Sequence, residues 1–427
     1  MLLLHASACR TPRTRGWQEF RFAIAMAAAL LLAAPAPAGA LPMFARKYGL
    51  SCSVCHTSPP RLTETGRKFR SSGFRPPPSD GADEKTPFKF FDYASARVQA
   101  RLSESRSRAG VQETTVNELK FQALELYPLT GAWGRHLSSN IKVTFSPNVD
   151  PQIENAYLRV NTAGRERFFV ARAGIFHPFD GYGASDSPAT ITRPLFQGTP
   201  ANFNQTTFFR TWGFDELGAE AGFDYGRTSL RASILNGLVL HEDAGRLTAF
   251  AAQGGPLTRS SALPGHNFPD IQLFVNHTLH PDGGGVSLHY YHGNLALPVS
   301  GAAAFRNTFD RVAVYASYPA HERLHLFAGF QNGRDGMASS GRFGNRGLYA
   351  EAAVPIVPLT AAGVRYDWFD PARNKLENEI RGVTTYVNAW FREQFRIVAE
   401  YQHKHTRRGA LPTQKDDALQ VRFIFIK

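Results

Sequence analysis

Long apolar runs are what this sequence most conspicuously lacks. Beyond its amino terminus no window supplies the ~20 consecutive apolar residues that a membrane-spanning helix requires. Charge is sparse as well: Asp, Glu, Lys and Arg make up 19% of the 427 residues, below the usual quarter or so. Cysteine is nearly absent, at Cys9, Cys52 and Cys55 only. Methionine is missing between Met43 and Met337. No phosphate cradle is present. The run Gly283-Gly284-Gly285 is followed neither by a helix nor by Lys-Ser/Thr, so it reads as a turn.

Aromatic residues are abundant instead, at 12% with 33 Phe. Short apolar-alternating runs with many aromatics and no spanning helix fit a membrane β-barrel better than a soluble enzyme. The amino terminus reads as an export signal. Arg10, Arg13, Arg15 and Arg21 form a basic region, residues 22–34 an apolar one, and Ala38-Gly39-Ala40 a small-residue cleavage pattern. The competing reading, a membrane anchor, is opposed by the short apolar run and by Pro35 and Pro37 after it. Residues 1–40 are therefore expected to be a signal peptide, and Cys9 leaves with them. The formal charge of +13 reads as a lumen and rim that attract anions, phosphate or lipopolysaccharide head groups. An exported chain of this kind has no nucleic-acid partner.

The two remaining cysteines lie in Cys52-Ser53-Val54-Cys55-His56. In an exported chain this C-x-x-C-H spacing lets both thiols add to the two vinyl groups of one haem, with the adjacent imidazole reaching the iron. Zinc would need four ligands, and the next histidine is His136. A thioredoxin-like pair would need a βαβ context. A plain disulfide is not excluded by spacing alone. Cys52 and Cys55 are thus the expected haem c attachment sites and His56 the proximal iron ligand. Met43 or a barrel histidine is a candidate distal ligand, and an open or water-ligated iron is the third option. Around the motif, Pro59-Pro60 can open a helix, Leu62, Gly66 and Phe69 share one face, and Gly73 is a stop. Phe44, Leu50, Leu62, Phe69 and Phe74 are the main apolar groups of this segment. A piece this short rarely folds without a staple.

A stiff, proline-rich linker is expected at 76–87. From residue 88 to 427 strand-like runs recur. Sixteen are read, near 88–102, 116–127, 136–146, 153–161, 167–176, 217–224, 228–236, 270–279, 285–293, 308–318, 322–331, 347–354, 359–369, 381–391, 395–404 and 418–427. Val383, Thr385 and Val387 alternate with Thr384, Tyr386 and Asn388, a lipid-compatible face against a wet one. Short links at 162–166, 225–227, 280–284, 319–321, 355–358 and 392–394 alternate with long ones at 177–216, 237–269, 294–307, 332–346, 370–380 and 405–417. The stretch 246–252 is assigned to a loop, because a strand there would spoil that alternation. Both barrel ends are then expected on the periplasmic side. The last strand, with Leu419, Val421, Phe423 and Phe425, resembles an outer-membrane insertion signal, although Lys427 rather than an aromatic ends it. The competing soluble sandwich or propeller does not explain the alternating links.

Inward candidates are Arg97, Arg101, Arg159, Arg172, Arg231, Arg365 and Arg396, partly balanced by Glu154, Asp367 and Glu400. Most are expected to fill a lumen and pair across strands. A few Arg could instead hold haem propionates. His277, His280, His289 and His292 invite a metal reading, although turn and interface histidines are commoner.

The stretch Pro42-Met43-Phe44-Ala45-Arg46, the motif at Cys52–Cys55 with His56, and Pro60-Arg61-Leu62-Thr63 with Gly66 and Phe69 together resemble the fused monohaem cytochrome–porin family. These are the outer-membrane iron-oxidising cytochromes and their relatives. Arg365-Tyr366-Asp367-Trp368-Phe369-Asp370-Pro371 also looks like phosphate-selective porins. The resemblance implies a monohaem segment at 41–75 and an outer-membrane barrel at 88–427. It implies one covalent haem c, an extracellular donor, foremost Fe(II), and a soluble periplasmic cytochrome as acceptor. Such a chain would be an iron:cytochrome c oxidoreductase in the sense of electron transfer rather than bond chemistry. The alternative from a different class is a passive anion-selective, phosphate-like porin whose haem piece is a docking module. A redox sensor anchored to a barrel would need an output domain that the sequence lacks.

Overall fold

A computed structural model describes residues 43–58, 60–76, 89–147, 149–162, 167–178, 189–198, 216–235, 269–297, 305–336, 342–373, 377–391 and 394–427. The expected signal peptide, nearly all of the linker and the 246–252 stretch lie outside the described residues.

The chain first forms a small segment of short elements: α1 (Met43–Tyr48), α2 (Cys52–Cys55), β1 (His56–Ser58), β2 (Arg61–Leu62) and α3 (Glu64–Ser71). The helix expected to open at Pro59-Pro60 begins later. Arg61–Leu62 instead pairs antiparallel with His56–Ser58. The Thr63 hydroxyl caps α3 by accepting from Gly66 N–H at 3.1 Å. The expected stop at Gly73 is present. Gly73 has φ +77°, and Phe74 N–H reaches back to the Phe69 carbonyl at 2.8 Å, the Schellman arrangement. Phe44, Phe69 and Phe74 stack in one cluster with ring centroids 4.9–6.0 Å apart.

The barrel follows: β3 (Ser95–Ala109), β4 (Gln112–Tyr127), β5 (Gly131–Trp133), β6 (Leu137–Ser146), β7 (Val149–Asn161), β8 (Arg167–Phe176), β9 (Glu216–Tyr225), β10 (Thr228–Leu235), β11 (Asp270–His280), β12 (Gly284–Leu297), β13 (Phe305–His321), β14 (Leu324–Gly336), β15 (Arg342–Val357), β16 (Thr360–Asp370), β17 (Ile380–Phe391), β18 (Phe395–Arg408) and β19 (Leu411–Ile426). They close as an antiparallel ring, β19 pairing with β3. Setting aside the three-residue β5, which pairs with β6 only, sixteen long strands remain, as expected from the sequence.

The polarity of this ring is inverted relative to a soluble protein. On β17, Val383 and Val387 are 41% and 44% exposed, whereas Thr384 and Asn388 are 0% exposed. The alternation therefore points apolar side chains outward and polar ones into the bore, which suits a hydrocarbon surround. The chain enters and leaves at one end, where Ala96 and Lys427 exchange backbone hydrogen bonds at 2.9 Å. The short connections expected from the sequence lie at this end, among them Gly226 between β9 and β10 and Leu359 between β15 and β16. At the other end the strands run further than the sequence predicts. β3 and β4 turn at Gly110 and β18 and β19 at Gly409, both glycines at positive φ. The long link expected at 405–417 is thus a tight hairpin. Past the apolar band both strand faces meet water, so the alternation disappears while the ladder continues.

Candidate functional site

The amino-terminal segment lies across the bore. Arg61 forms an ion pair with Glu351 on β15, and its guanidinium sits 3.5 Å from the Phe327 ring centroid on β14. Tyr386 on β17 also donates to Glu351. Glu64 N–H donates to the Pro281 carbonyl in the β11–β12 turn at 2.8 Å. On the opposite wall Arg159 of β7 donates to the Arg70 carbonyl, and Asn161 donates to the Ser71 carbonyl at 3.1 Å. Arg75 donates to the carbonyls of Gly134 and Leu137, each at 2.7 Å. β7 and β15 are eight strands apart in a ring of sixteen, so these anchors face each other across the diameter. The close approach is built into Gly283: a Cβ there would lie 2.2 Å from the Leu62 carbonyl oxygen.

Within this arrangement the cysteine motif opens onto a cavity of about 470 Å³. Phe44, Tyr48, Phe69 and Phe74 give it an aromatic wall with Leu50 beside them, and Cys52, Cys55 and His56 line it. From the barrel come Arg97, Trp390, Arg396, Ile424 and His325, all near the short-connection end of their strands. Cys52 and Cys55 stand at the two ends of one helical turn, half-buried and not bonded to each other. Residues three apart on a helix share a face. Burial pushes the Cys55 thiol up. Burial likewise lowers the His56 imidazole to about 4, aided by the Arg396 guanidinium, so the ring is neutral at pH 7. Its Nδ1 lies 3.3 Å from the Arg61 carbonyl oxygen. A carbonyl only accepts, so Nδ1 carries the proton and Nε2 keeps its lone pair. Gly66 is needed where α3 crosses the motif, because a Cβ there would lie 2.2 Å from the Cys55 carbonyl oxygen.

The structure brings together Cys52, Cys55 and His56. Met43 is buried on α1 but is not among the residues that line the cavity. The four histidines of β11 and β12 are not brought together. His289 faces the bore beside Gln272, His292 faces outward beside Asp310, His277 bonds Thr228, and His280 ends β11. No group of three or more His, Cys, Asp and Glu among the described residues is arranged to hold a metal.

Several inward arginines pair across strands as expected, Arg172 with Glu220 at 2.8 Å, Arg97 with Glu125 and Arg231 with Asp224, whereas Arg365 pairs along its own strand with Asp367 at 2.7 Å. Arg365, Asp367 and Glu400 have a further role that the sequence did not reveal. They clasp residues 189–198, part of the long link after β8, inside the bore. Glu400 accepts from Ile191 N–H at 2.6 Å, Asp367 from Leu195 N–H at 3.1 Å, and Arg365 donates to Thr190 Oγ1 at 2.7 Å. This stretch ends in the short helix α4 (Leu195–Gly198), where Phe196 is fully buried between Tyr315 and Tyr349. Ala189, Thr190 and Pro194 line the same cavity as the cysteine motif. Glu351 and Tyr386 were also missed. Both occupy the inward register of their strands, which is the signal that could have found them.

No known family model and no curated protein matches the chain in sequence. Solved structures do match in fold. The anion-selective porin from Comamonas acidovorans aligns with a TM-score of 0.54 at 10% identity, over 78% of this chain and 99% of that one. OprB of Pseudomonas putida aligns at 0.51 and 10%, over 78% and 94%. The outer membrane channel DcaP of Acinetobacter baumannii aligns at 0.50 and 13%, over 80% and 100%. At such identities the likeness is one of fold: the chain has the sixteen-stranded barrel architecture of outer-membrane porins.

Proposed function

We propose that this chain is an outer-membrane electron conduit that carries one covalent haem c inside the half of its bore at the short-connection, periplasmic end. The observation that carries the reading is the cysteine motif opening onto a cavity in the lumen. The residues present fit the group. Two thiols not joined in a disulfide, an imidazole whose Nε2 carries no proton, an aromatic wall and a volume inside the roughly 300–1,000 Å³ range of cofactor pockets are the donor set and space it requires. Cys52 and Cys55 would hold it covalently and His56 would ligate the iron. His325, which lines the cavity, is favoured over Met43 as the distal candidate. Arg97 and Arg396, within electrostatic reach of one another and of Arg422, would meet the propionates. A haem c there supplies a one-electron couple. The chain itself supplies position. The apolar band of such barrels is ~25 Å tall, too far for direct tunnelling from an outside donor to a site hanging below it. Holding the motif in the bore with Arg61 and Arg159 shortens that gap.

In this reading the fused cytochrome–porin resemblance extends to activity, with Fe(II) outside as donor and a soluble periplasmic cytochrome as acceptor. Electrons would pass without bond chemistry at the protein. Protein matured with a cytochrome-assembly system should gain the mass of one haem and show a reducible c-type spectrum. Anaerobic stopped-flow mixing with Fe(II) should then reduce it. A colourless chain of unmodified mass sinks the haem reading. A coloured chain that Fe(II) does not reduce sinks the donor.

The second reading, a passive anion-selective porin, draws on the neighbouring arginines Arg97, Arg396 and Arg422 and on the anion-selective porin whose fold this chain shares. Single-channel conductance separates the two. A bore crossed by the amino-terminal segment and by residues 189–198 should pass little current, whereas a passive porin conducts freely.

A further inference from the structure

On the outer face of β18, beyond the apolar band, the residues Tyr401-Gln402-His403-Lys404-His405 place two imidazoles side by side. Arg396, Val398 and Glu400 are buried in the bore, so the alternating Tyr401, His403 and His405 face outward. His403 lies opposite Asp417 of β19 in the ladder, and its Nδ1 is 2.7 Å from Asp417 Oδ1. Tyr401 donates its hydroxyl to the same oxygen at 2.7 Å. His405 Nε2 is 2.7 Å from His403 Nε2.

The carboxylate only accepts, so His403 carries its proton on Nδ1 and its Nε2 is bare. The contact between rings then needs a proton on His405 Nε2. If that proton sits on His405 Nδ1 instead, the two Nε2 lone pairs face each other across the contact. The change is a tautomer shift and releases no proton. Zn–N bonds of ~2.0–2.1 Å at a tetrahedral ion hold two nitrogens roughly 3.3 Å apart, so the rings need to part by only about half an ångström.

We propose that His403 and His405 bind one divalent transition-metal ion at this rim, with Asp417 as the positioning residue. Imidazole nitrogen favours zinc, copper, nickel and iron over magnesium or calcium. A ligating imidazole whose second nitrogen donates to a carboxylate is the usual orienting arrangement at protein metal sites. Two protein nitrogens leave the remaining positions to water, and His403 is 39% exposed, open to solvent. Opposing charge is present. Lys415 lies opposite His405, and Arg106 lies opposite Asp417 and is paired with Glu113 at 3.3 Å.

The barrel also carries its own control. On β12 and β13, Tyr290 and His292 meet Asp310 at 2.9 and 2.8 Å in the same arrangement. The residue two positions beyond His292 is Asn294, which carries no imidazole.

The test uses the full-length protein folded in detergent and Zn²⁺ in equilibrium dialysis with elemental readout, which haem iron does not disturb. One Zn²⁺ per chain should be retained. His403→Ala/His405→Ala should weaken retention at least tenfold, Asp417→Asn by about 10–100-fold, and His292→Ala should leave it unchanged. Equal retention by the double variant, or equal loss in His292→Ala, overturns the proposal. A measurement on the unmodified protein guards against misfolded variants. Zn²⁺ should protect His403 and His405, but not His292, from diethyl pyrocarbonate. Equal modification with and without Zn²⁺ also overturns it.

Discussion

Replacing Arg61 by alanine removes the contact that pins the amino-terminal segment to the β14–β15 wall. The Arg61 and Glu351 side chains are 15% and 7% exposed, so little water screens the pair. Deleting one partner of a buried ion pair costs about 3–5 kcal/mol, because the other charge stays buried without it. At ~1.4 kcal/mol per tenfold, the docked population should fall by roughly two to four powers of ten. Tyr386 still donates to Glu351, and the Phe327 ring loses its cation, so the two corrections oppose each other. The expected consequences are a rise in single-channel current and tryptic cleavage after Lys68 and Arg70, sites the docked segment protects. Arg61→Ala/Glu351→Ala should be milder than the single variant, since no orphaned carboxylate remains. Unchanged protease resistance and unchanged current in Arg61→Ala would refute the docked-plug argument. So would a wild-type barrel that already passes a large porin-like current.

Gly66→Ala should displace α3 from the cysteine motif, given the 2.2 Å Cβ approach to the Cys55 carbonyl. A loss of more than about 2 kcal/mol is expected, read as a lower melting temperature of the segment and poorer pigment incorporation. Arg365→Ala leaves Asp367 buried and takes donors from Thr190 and the Thr192 carbonyl. Residues 189–198 should loosen and the residual current should rise, with the barrel's β-sheet circular dichroism unchanged. Cys52→Ser/Cys55→Ser should abolish covalent pigment, as seen by denaturing-gel haem stain, while the barrel still folds, because its sixteen-strand ladder contains neither cysteine.

How much was legible follows from what each signal depends on. The strand pattern was readable because lipid on one side and water on the other force a two-residue period, and β17 displays it residue by residue. The period failed above the apolar band, which is why the hairpin at Gly409 looked like a loop. The cysteine motif was readable because its chemistry is local, three side chains within five positions. Arg61, Glu351 and Tyr386 were not, because their meaning depends on partners up to 290 positions apart.

The sequence alone thus determined the barrel, its strand number, the end at which the short turns gather, and the residues of the cysteine motif. These are encoded in periodicity and in short-range spacing. Only the tertiary structure decided that the motif faces into the bore, that residues 189–198 fold inward, and that Asp417 sits beside His403. Those outcomes rest on strand register, shear and closure of the ring, which bring distant residues within a few ångströms and leave no trace in any local window.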